Sequence, residues 1–441
     1  MRKIRFLLRL LKAFVKRHFR LVLAGFLAGT LAFFLVPKIL PFLPKKTPTF
    51  KIGILGRFQS DEIPVSIQRE ISQGLTVLSE DGTAISDIAT SWQQDKEAKT
   101  YTFHLKKDVR WHDKSILKAS DVNYNFRDVQ VEVKDDQTLI FKLGESFSPF
   151  PTVVSRPIFK KGLIGTGNYK VKKVTQTGKY LNSIFLQSLK GHEPNLLFRF
   201  YPTEEALRIG FKLGEIDTLE DLLELGELKN WPGTTATSTL HFNRFVTLFF
   251  NTSDDFLGDK GIRQALAYAI SKKEGEERAL GPISPLSWAY NSDVKPYEKD
   301  LDHARSLLKN ALEGKENKEI HLTLSSVPSL LDEAEKIKKE WEELGIKVEV
   351  RSFSPGEDFQ ILLAIQEVPL DPDQYTLWHS TQEGNLTKFK SPRVDKLLED
   401  GRRVSDQEER KQIYYDFQRF LVEEVPAVFL YYPTTWTLKR N

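Results

Sequence analysis

Residues 101–126, YTFHLKKDVRWHDKSILKASDVNYNF, pass through two periodicities. Tyr101, Phe103 and Leu105 alternate with Thr102 and His104, the period of a strand with one buried face, and Val109 and Trp111 resume the alternation. After the polar turn at 112–115, the spacing Val122, Phe126, Val129 is that of a helix, with Ser120 or Asp121 placed to accept an unpaired N–H at its start. A strand, an aromatic turn and a helix in so short a span predict a mixed α/β body.

The flanking segments extend that pattern. FKIGILGRF from Phe50 predicts a strand, SIQREISQGLTVL (66–78) a short helix running into a strand, and VQVEVKDDQTLIFKL (129–143) a hairpin turning at Asp135-Asp136. IGTGNYKVKKV opens another strand between glycines, and VTLFFNT is a further one. DKGIRQALAYAIS and KDLDHARSLLKNAL predict helices on either side of the proline-rich loop GPISPLSWAYNSDVKP. EIHLTLSS, the helix 330–344 and GIKVEVRSF form a βαβ unit, which demands a parallel strand pair. Ser405-Asp406-Gln407-Glu408 reads as a capping box opening a helix to about Glu424, and AVFLYY as a last strand.

At 441 residues, with 40% hydrophobic and 11% aromatic content, the chain can bury the core of two or three domains. It has no cysteine, so disulfides, thiolate metal sites and thiol nucleophiles are excluded. The net charge of +4 is unevenly spread: residues 1–46 carry 11 Lys and Arg and no acid, leaving 53 bases against 60 acids elsewhere. A mildly acidic body argues against nucleic acid as a partner.

LVLAGFLAGTLAFFLVP, preceded by eight Lys and Arg between Arg2 and Arg20, reads as a transmembrane anchor over 21–43. Residues 1–20 would then form a basic cytoplasmic segment and 44–49 a Pro-rich stalk, with the main body extracytoplasmic on a single-pass cell-membrane protein. A cleaved signal peptide is the competing reading.

The order DIATSWQQDKEAKTYTFHLKKDVRWHDKSILKASDVNYNF, VKDDQTLIFKL, IGTGNYKV, LFFNT with IRQALAYAIS, and FKSPRVDKLLED resembles the extracytoplasmic solute-binding proteins, family 5, that serve peptide and nickel ABC importers. The resemblance covers nearly all of residues 50–436. It implies a two-lobed, Venus-flytrap periplasmic-binding-protein fold (type II) with an extra small domain. Lobe 1 would span 50–240, with the small domain at about 65–160, lobe 2 would span 241–415, and 416–441 would return to lobe 1. The implied activity is binding a peptide or other small solute for an importer permease, as a monomer without a cofactor.

Three departures from the family stand out. FRDVQVEV joins the 101–126 unit to the hairpin almost directly, where peptide binders carry a longer segment. SPGED leaves no room for a helix between KVEVRSF and FQILLAI. The family aspartate that can hold a peptide's amino group falls on Val368 or Pro369 in AIQEVPLDP, although Asp371-Pro372 is retained and Glu367 is one position away. An ammonium buried without a partner costs several kcal/mol, so the apolar residue speaks against peptide capture by that route.

The resemblance places ligand contacts at Asp61, Glu62 and Ile63, at Arg244, at Phe353, at Gln366 and Glu367, and at Tyr375 and Trp378. Each has a plain alternative: a solvated loop for Asp61 and Glu62, a surface ion pair for Arg244, core packing for Tyr375 and Trp378. Trp288 either closes over a ligand or packs beneath its loop. The helix face with Glu333, Lys336, Lys338 and Lys339 reads as solvated. No GxSxG, P-loop or HExxH is present and the 8 His are scattered, so an enzyme is not expected. His112-Asp113 matches a scaffold turn. The alternative function is a degenerate homologue that acts as a sensor or scaffold through protein contacts.

Overall fold

The computed structural model describes residues 12, 14–39, 47–313 and 319–441. The chain divides into two units, Met1–Pro48 with Gly191–Glu193, and the remainder. The first carries a helix at Phe19–Ile39, with Leu21, Phe26, Leu27 and Phe33 among its exposed apolar side chains. Among the described residues no helix is long and apolar enough to cross a membrane, so the span expected over 21–43 is not met there. Its end, 40–43, and the stalk as far as 46 lie outside the described residues.

The second unit is a two-lobed α/β body. Lobe 1 is a seven-stranded sheet in the order Thr234–Leu240, Thr434–Arg440, Thr218–Leu222, Thr49–Leu55, Asn195–Tyr201, Tyr180–Ser188, Tyr169–Thr177. The three strands at its centre run parallel, so Leu55, Tyr201 and Leu222 end at the same edge. One face of this sheet packs Leu207 and Phe211 of the helix Glu204–Lys212. The other packs Ile63, Ile67 and Ile71, from the helix Val65–Ile71 and the residues before it. Lobe 2 is a five-stranded sheet in the order Lys347–Ser352, His321–Ser326, Ile361–Glu367, Arg244–Phe250, Ala427–Tyr431. Its expected βαβ unit is present, with the helix Leu331–Glu342 between parallel strands. Arg244–Phe250 is buried at every position after the first, as expected of a strand covered on both faces.

The small domain is a four-stranded sheet (Ala89–Gln94, Thr100–Leu105, Thr138–Leu143, Val129–Asp135) beside the two-stranded Thr76–Leu78 and Ala84–Ser86. Tyr101, Phe103 and Leu105 are buried, and Thr102 and His104 partly exposed, as the alternation requires. The helix expected after them does not form. A single 3-10 turn, Ala119–Asp121, stands in its place, and Val129 opens a strand. Asn125 adopts a left-handed φ of 54°, and its N–H donates to the Asn123 side chain at 2.7 Å. This local bond gives the backbone an alternative to the helical ladder. The alternation also stops at Leu105: Trp111 turns inward because its indole N–H donates to Asp121 Oδ2 at 3.1 Å. As the sequence indicated, no helix separates Ser352 from Ile361, and the long loop 280–300 is irregular.

Candidate functional site

Two adjacent stretches carry the chain between the lobes. Thr234–Leu240 leads into Arg244–Phe250, and Ala427–Tyr431 leads back into Thr434–Arg440, with Leu240 paired to Thr434. His241 N–H donates to Pro433 O at 3.1 Å, and the His241 ring contacts Thr435 Oγ1 at 2.7 Å. A pair of short crossings bound side by side is the geometry of a hinge.

Around the crossings one ion pair joins the lobes, and Asn243 holds the end of a lobe 2 strand. Arg244 of lobe 2 pairs with Asp221 of lobe 1, which takes a left-handed φ of 66° to reach it. Asn243 O accepts the Val368 N–H at 2.9 Å, and its side-chain amide lies 3.4 Å from Glu367. Burial, then the Arg244 charge, lowers the His241 pKa, and burial followed by Asp221 raises that of Glu220. Gln366 Oε1 is buried with no hydrogen-bond partner. An acceptor left in that condition costs about 1–3 kcal/mol.

Beside these contacts lies a cavity of about 770 Å³. Its lobe 1 wall, with Arg208 and Glu224, follows the ends of strands Asn195–Tyr201 and Thr218–Leu222; its lobe 2 wall, with Glu333 and Lys336, follows His321–Ser326; Tyr431 and Pro433 of a crossing complete it. The carboxyl ends of parallel strands are where α/β folds present ligands, and the volume suits a small solute. Arg208 is already engaged, donating to Glu204 Oε1 at 2.8 Å and to Leu225 O at 2.7 Å. The charged face of the helix Leu331–Glu342, expected to be solvated, thus contributes in part to a cavity wall.

Lys272 also lines this cavity, its ammonium donating to Ala267 O, Ile270 O and Tyr297 O. Burial first, then Arg278, lowers its pKa to about 7. The unfolded chain holds that proton up to about pH 10.5, whereas the folded chain releases it near 7, so this group's contribution to stability rises between those values. Urea unfolding of wild type and Lys272→Met from pH 6 to 9 is expected to show wild type gaining relative to the variant as pH rises.

The family-derived residues do not converge on this cavity. None of the nine lines it. Asp61 and Glu62 are exposed, and Glu62 accepts the Gln59 N–H at 3.3 Å. Ile63 is buried in the lobe 1 core. Phe353 packs edge-on to Phe359 at 6.2 Å. Tyr375 stacks on His379 at 4.1 Å beneath the Arg402 guanidinium. Trp378 is a core residue, not a cleft wall: it is 1% exposed, packs near Phe249 and Phe429, and donates to Gln374 Oε1 at 2.9 Å. Trp288 lies beneath its loop with Arg410 and Tyr414 around it. Arg244, Gln366 and Glu367 do share one place, since Phe245 pairs with Gln366 and Arg244 with Glu367 across adjacent strands.

Sequence reasoning missed Asp221, Glu224 and Arg208, which lie among ordinary surface charges in the sequence. His112 proves to be scaffold. Its Nδ1 faces the Gly165 N–H at 3.3 Å and its Nε2 the Gly167 carbonyl at 3.0 Å, which assigns a neutral ring protonated on Nε2. Among the described residues no group of His, Asp and Glu forms a metal site.

Comparison with known proteins agrees with this architecture. The family model described as bacterial extracellular solute-binding proteins, family 5 Middle, matches residues 83–130 and 127–385. The oligopeptide-binding protein AppA of Bacillus subtilis is 23% identical, covering 88% of this chain and 87% of its own. Di/tripeptide-binding protein 1 of Pseudomonas aeruginosa is 26% identical, over 83% and 84%. The crystal structure of NikZ from Campylobacter jejuni, in complex with Ni(L-His), superposes with a TM-score of 0.74 at 24% identity, covering 89% of this chain and 94% of that one. With two lobes, paired crossings and a family match over most of its length, this chain belongs to the bacterial extracellular solute-binding proteins of family 5.

Proposed function

We propose that this protein binds a peptide or another small solute between its lobes and delivers it to the permease of an ABC importer, acting as a monomer. The observation that carries the reading is the hinge: two adjacent crossings join separately cored lobes, with a cavity of about 770 Å³ walled by both. Relatives named for oligopeptides, di- and tripeptides and a nickel–histidine complex bound the solute class. Val368 and Pro369, on one of which the family aspartate falls, are both apolar, which supports a solute that does not rely on a free amino group at that point. Arg244, Gln366 and Glu367, with Asp61, Glu62, Phe353 and Tyr375, stay proposed contacts outside that cavity, for the part of a solute that extends beyond it.

Gln366 is the sharpest of these. Its unpaired oxygen is enclosed in this structure, so a solute donor reaches it only after the strand end shifts; that bond would then recover about 1.4 kcal/mol, a factor of ten in affinity. Native mass spectrometry of the purified chain identifies what it carries, and calorimetry with that solute tests Gln366→Ala combined with Glu367→Ala. A tenfold loss is expected; unchanged affinity removes both residues from the site.

The same reading places the body outside the cell, tethered through the N-terminal segment. Leu21, Phe26, Leu27 and Phe33 are bare apolar side chains of the kind a lipid surface would cover. Recovery of the full chain in the membrane fraction, released by detergent and not by high salt, is the expected result. The second reading, a sensor or scaffold with a lapsed cleft, draws on the apolar residues Val368 and Pro369 and the absence of a helix between Ser352 and Ile361. It predicts that no solute co-purifies.

A further inference from the structure

Away from the hinge the small domain docks directly on lobe 2. Ser148 N–H donates to Arg402 O at 2.7 Å, and Thr152 Oγ1 donates to Asp371 Oδ2 at 3.4 Å. The Arg402 guanidinium lies 5.2 Å from the Phe147 ring and donates to both carboxylate oxygens of Asp373, at 2.9 and 3.0 Å. Trp288 N–H donates to Asp81 O at 3.2 Å. Beside it Gly82, at φ +83°, sits so close to Leu370 that a Cβ would lie 2.6 Å from that backbone. This contact belongs to two folded bodies pressed together at backbone distance.

Asp371 is where these contacts meet. It is 5% exposed, pairs with the buried Arg410 at 3.5 Å, accepts the Asp373 N–H at 2.9 Å and receives the Thr152 hydroxyl. Arg410 is held in turn by Gly401 O at 2.9 Å, from the same turn whose Arg402 carbonyl binds Ser148. Asp371 also stands three residues beyond Val368, whose N–H is fixed to Asn243 at the crossing, and four beyond the end of the strand bearing Gln366 and Glu367. The segment 368–371 is therefore pinned at both ends, by the hinge and by the small domain.

We propose that Asp371 is a positioning residue through which the small domain clasps lobe 2, so that docking of this domain holds the lobes together and sets the end of the Gln366–Glu367 strand. The solute half of this proposal rests on the function proposed above; the clasp itself does not. If the clasp holds the lobes closed, weakening it lowers the closed fraction, and apparent affinity falls by the same factor without loss of any solute contact.

The chain has no cysteine, so Glu97→Cys on the small domain and Glu408→Cys on lobe 2 accept spin labels in the full chain without background. Pulsed dipolar spectroscopy should give one short distance for the parent. Arg402→Gln and Thr152→Val should each raise the population at longer distances several-fold, and Thr152→Val, which leaves the Arg402–Asp373 pair inside lobe 2 intact, should do so with an unchanged melting midpoint. Thr152→Ser, which keeps the hydroxyl, should restore the parent distribution. Lys142→Gln, which removes the Lys142–Glu132 pair inside the small domain, should leave it unaltered. Trialanine serves as the solute probe: a several-fold weaker affinity is expected in Thr152→Val, whose side chain touches none of the proposed solute contacts. Parent-like distances in both Arg402→Gln and Thr152→Val would overturn the clasp. Failure of trialanine to bind any of the proteins, with the distances shifted, would count against the peptide reading and leave the clasp standing.

Discussion

Arg263→Leu is expected to lower the unfolding free energy of lobe 2 by about 4 kcal/mol, the scale of breaking a buried, fully bonded charge. Arg263 is 3% exposed within the helix Lys260–Ala269. Its guanidinium donates to Leu257 O at 2.7 Å, Gly258 O at 3.0 Å, Val425 O at 3.0 Å and Glu424 O at 2.6 Å. The last two acceptors belong to the end of the helix Gln407–Glu424, where carbonyls lose their intrahelical donors and Val425 turns to a left-handed φ of 49°. One planar fork thus caps one helix and fastens it to the start of another. Leucine fills part of the volume and satisfies none of the acceptors. Lysine keeps the charge but, as a single point with three donors, is expected to recover less than half of the loss. Urea midpoints read by tryptophan fluorescence measure both, and a loss under 1 kcal/mol for Arg263→Leu would contradict the assignment.

Gly165→Ala should cost about 3 kcal/mol or more, by steric conflict instead of lost bonding. A Cβ at this position would stand 2.1 Å from Ile71 O and 2.7 Å from Ser72 Cβ. The obstacle is mainly backbone, so no side-chain rotation relieves it. The same glycine accepts the His112 N–H at 2.9 Å, which ties the small-domain turn to the strand Tyr169–Thr177. Thermal unfolding of the variant is expected to begin well below that of Gly162→Ala, a control with nothing within 4 Å although its φ of +83° adds some strain of its own. Equal melting of the two would show that residues 71 and 165 do not approach as described.

What the sequence disclosed follows from the range of the forces involved. The Tyr101–Leu105 strand and the βαβ unit were legible because burial imposes a period that residues a few apart report directly. The helix expected after Ser120 was misread because Asn123 and Asn125 offer the backbone a competing turn. The capping signal at 405–408 located its helix within one residue, since Asp406 and not Ser405 accepts the Glu409 N–H. The strand Thr434–Arg440 was overlooked; its partners, Thr218–Leu222 and Thr234–Leu240, lie some two hundred residues earlier. Distance in the chain also hid the cavity. Glu224 and Lys336 are ordinary surface residues until folding brings them to facing walls, and Lys336 then feels the Glu224 charge. Family resemblance located the strand end at Gln366 and Glu367, yet it did not separate Tyr375 from the core residue Trp378, because helical spacing within the single turn Tyr375–Trp378 says nothing about which side chain is buried.

On the function proposed above, movement of the lobes about the paired crossings is the event from which solute capture would follow. It is measured most directly by the distance between spin labels at Lys179→Cys on lobe 1 and Lys309→Cys on lobe 2, both exposed positions, in the full chain with and without its co-purifying solute. Solute should move the distribution toward a single shorter separation, saturating with the calorimetric stoichiometry. A distribution that stays the same at saturating solute would contradict closure.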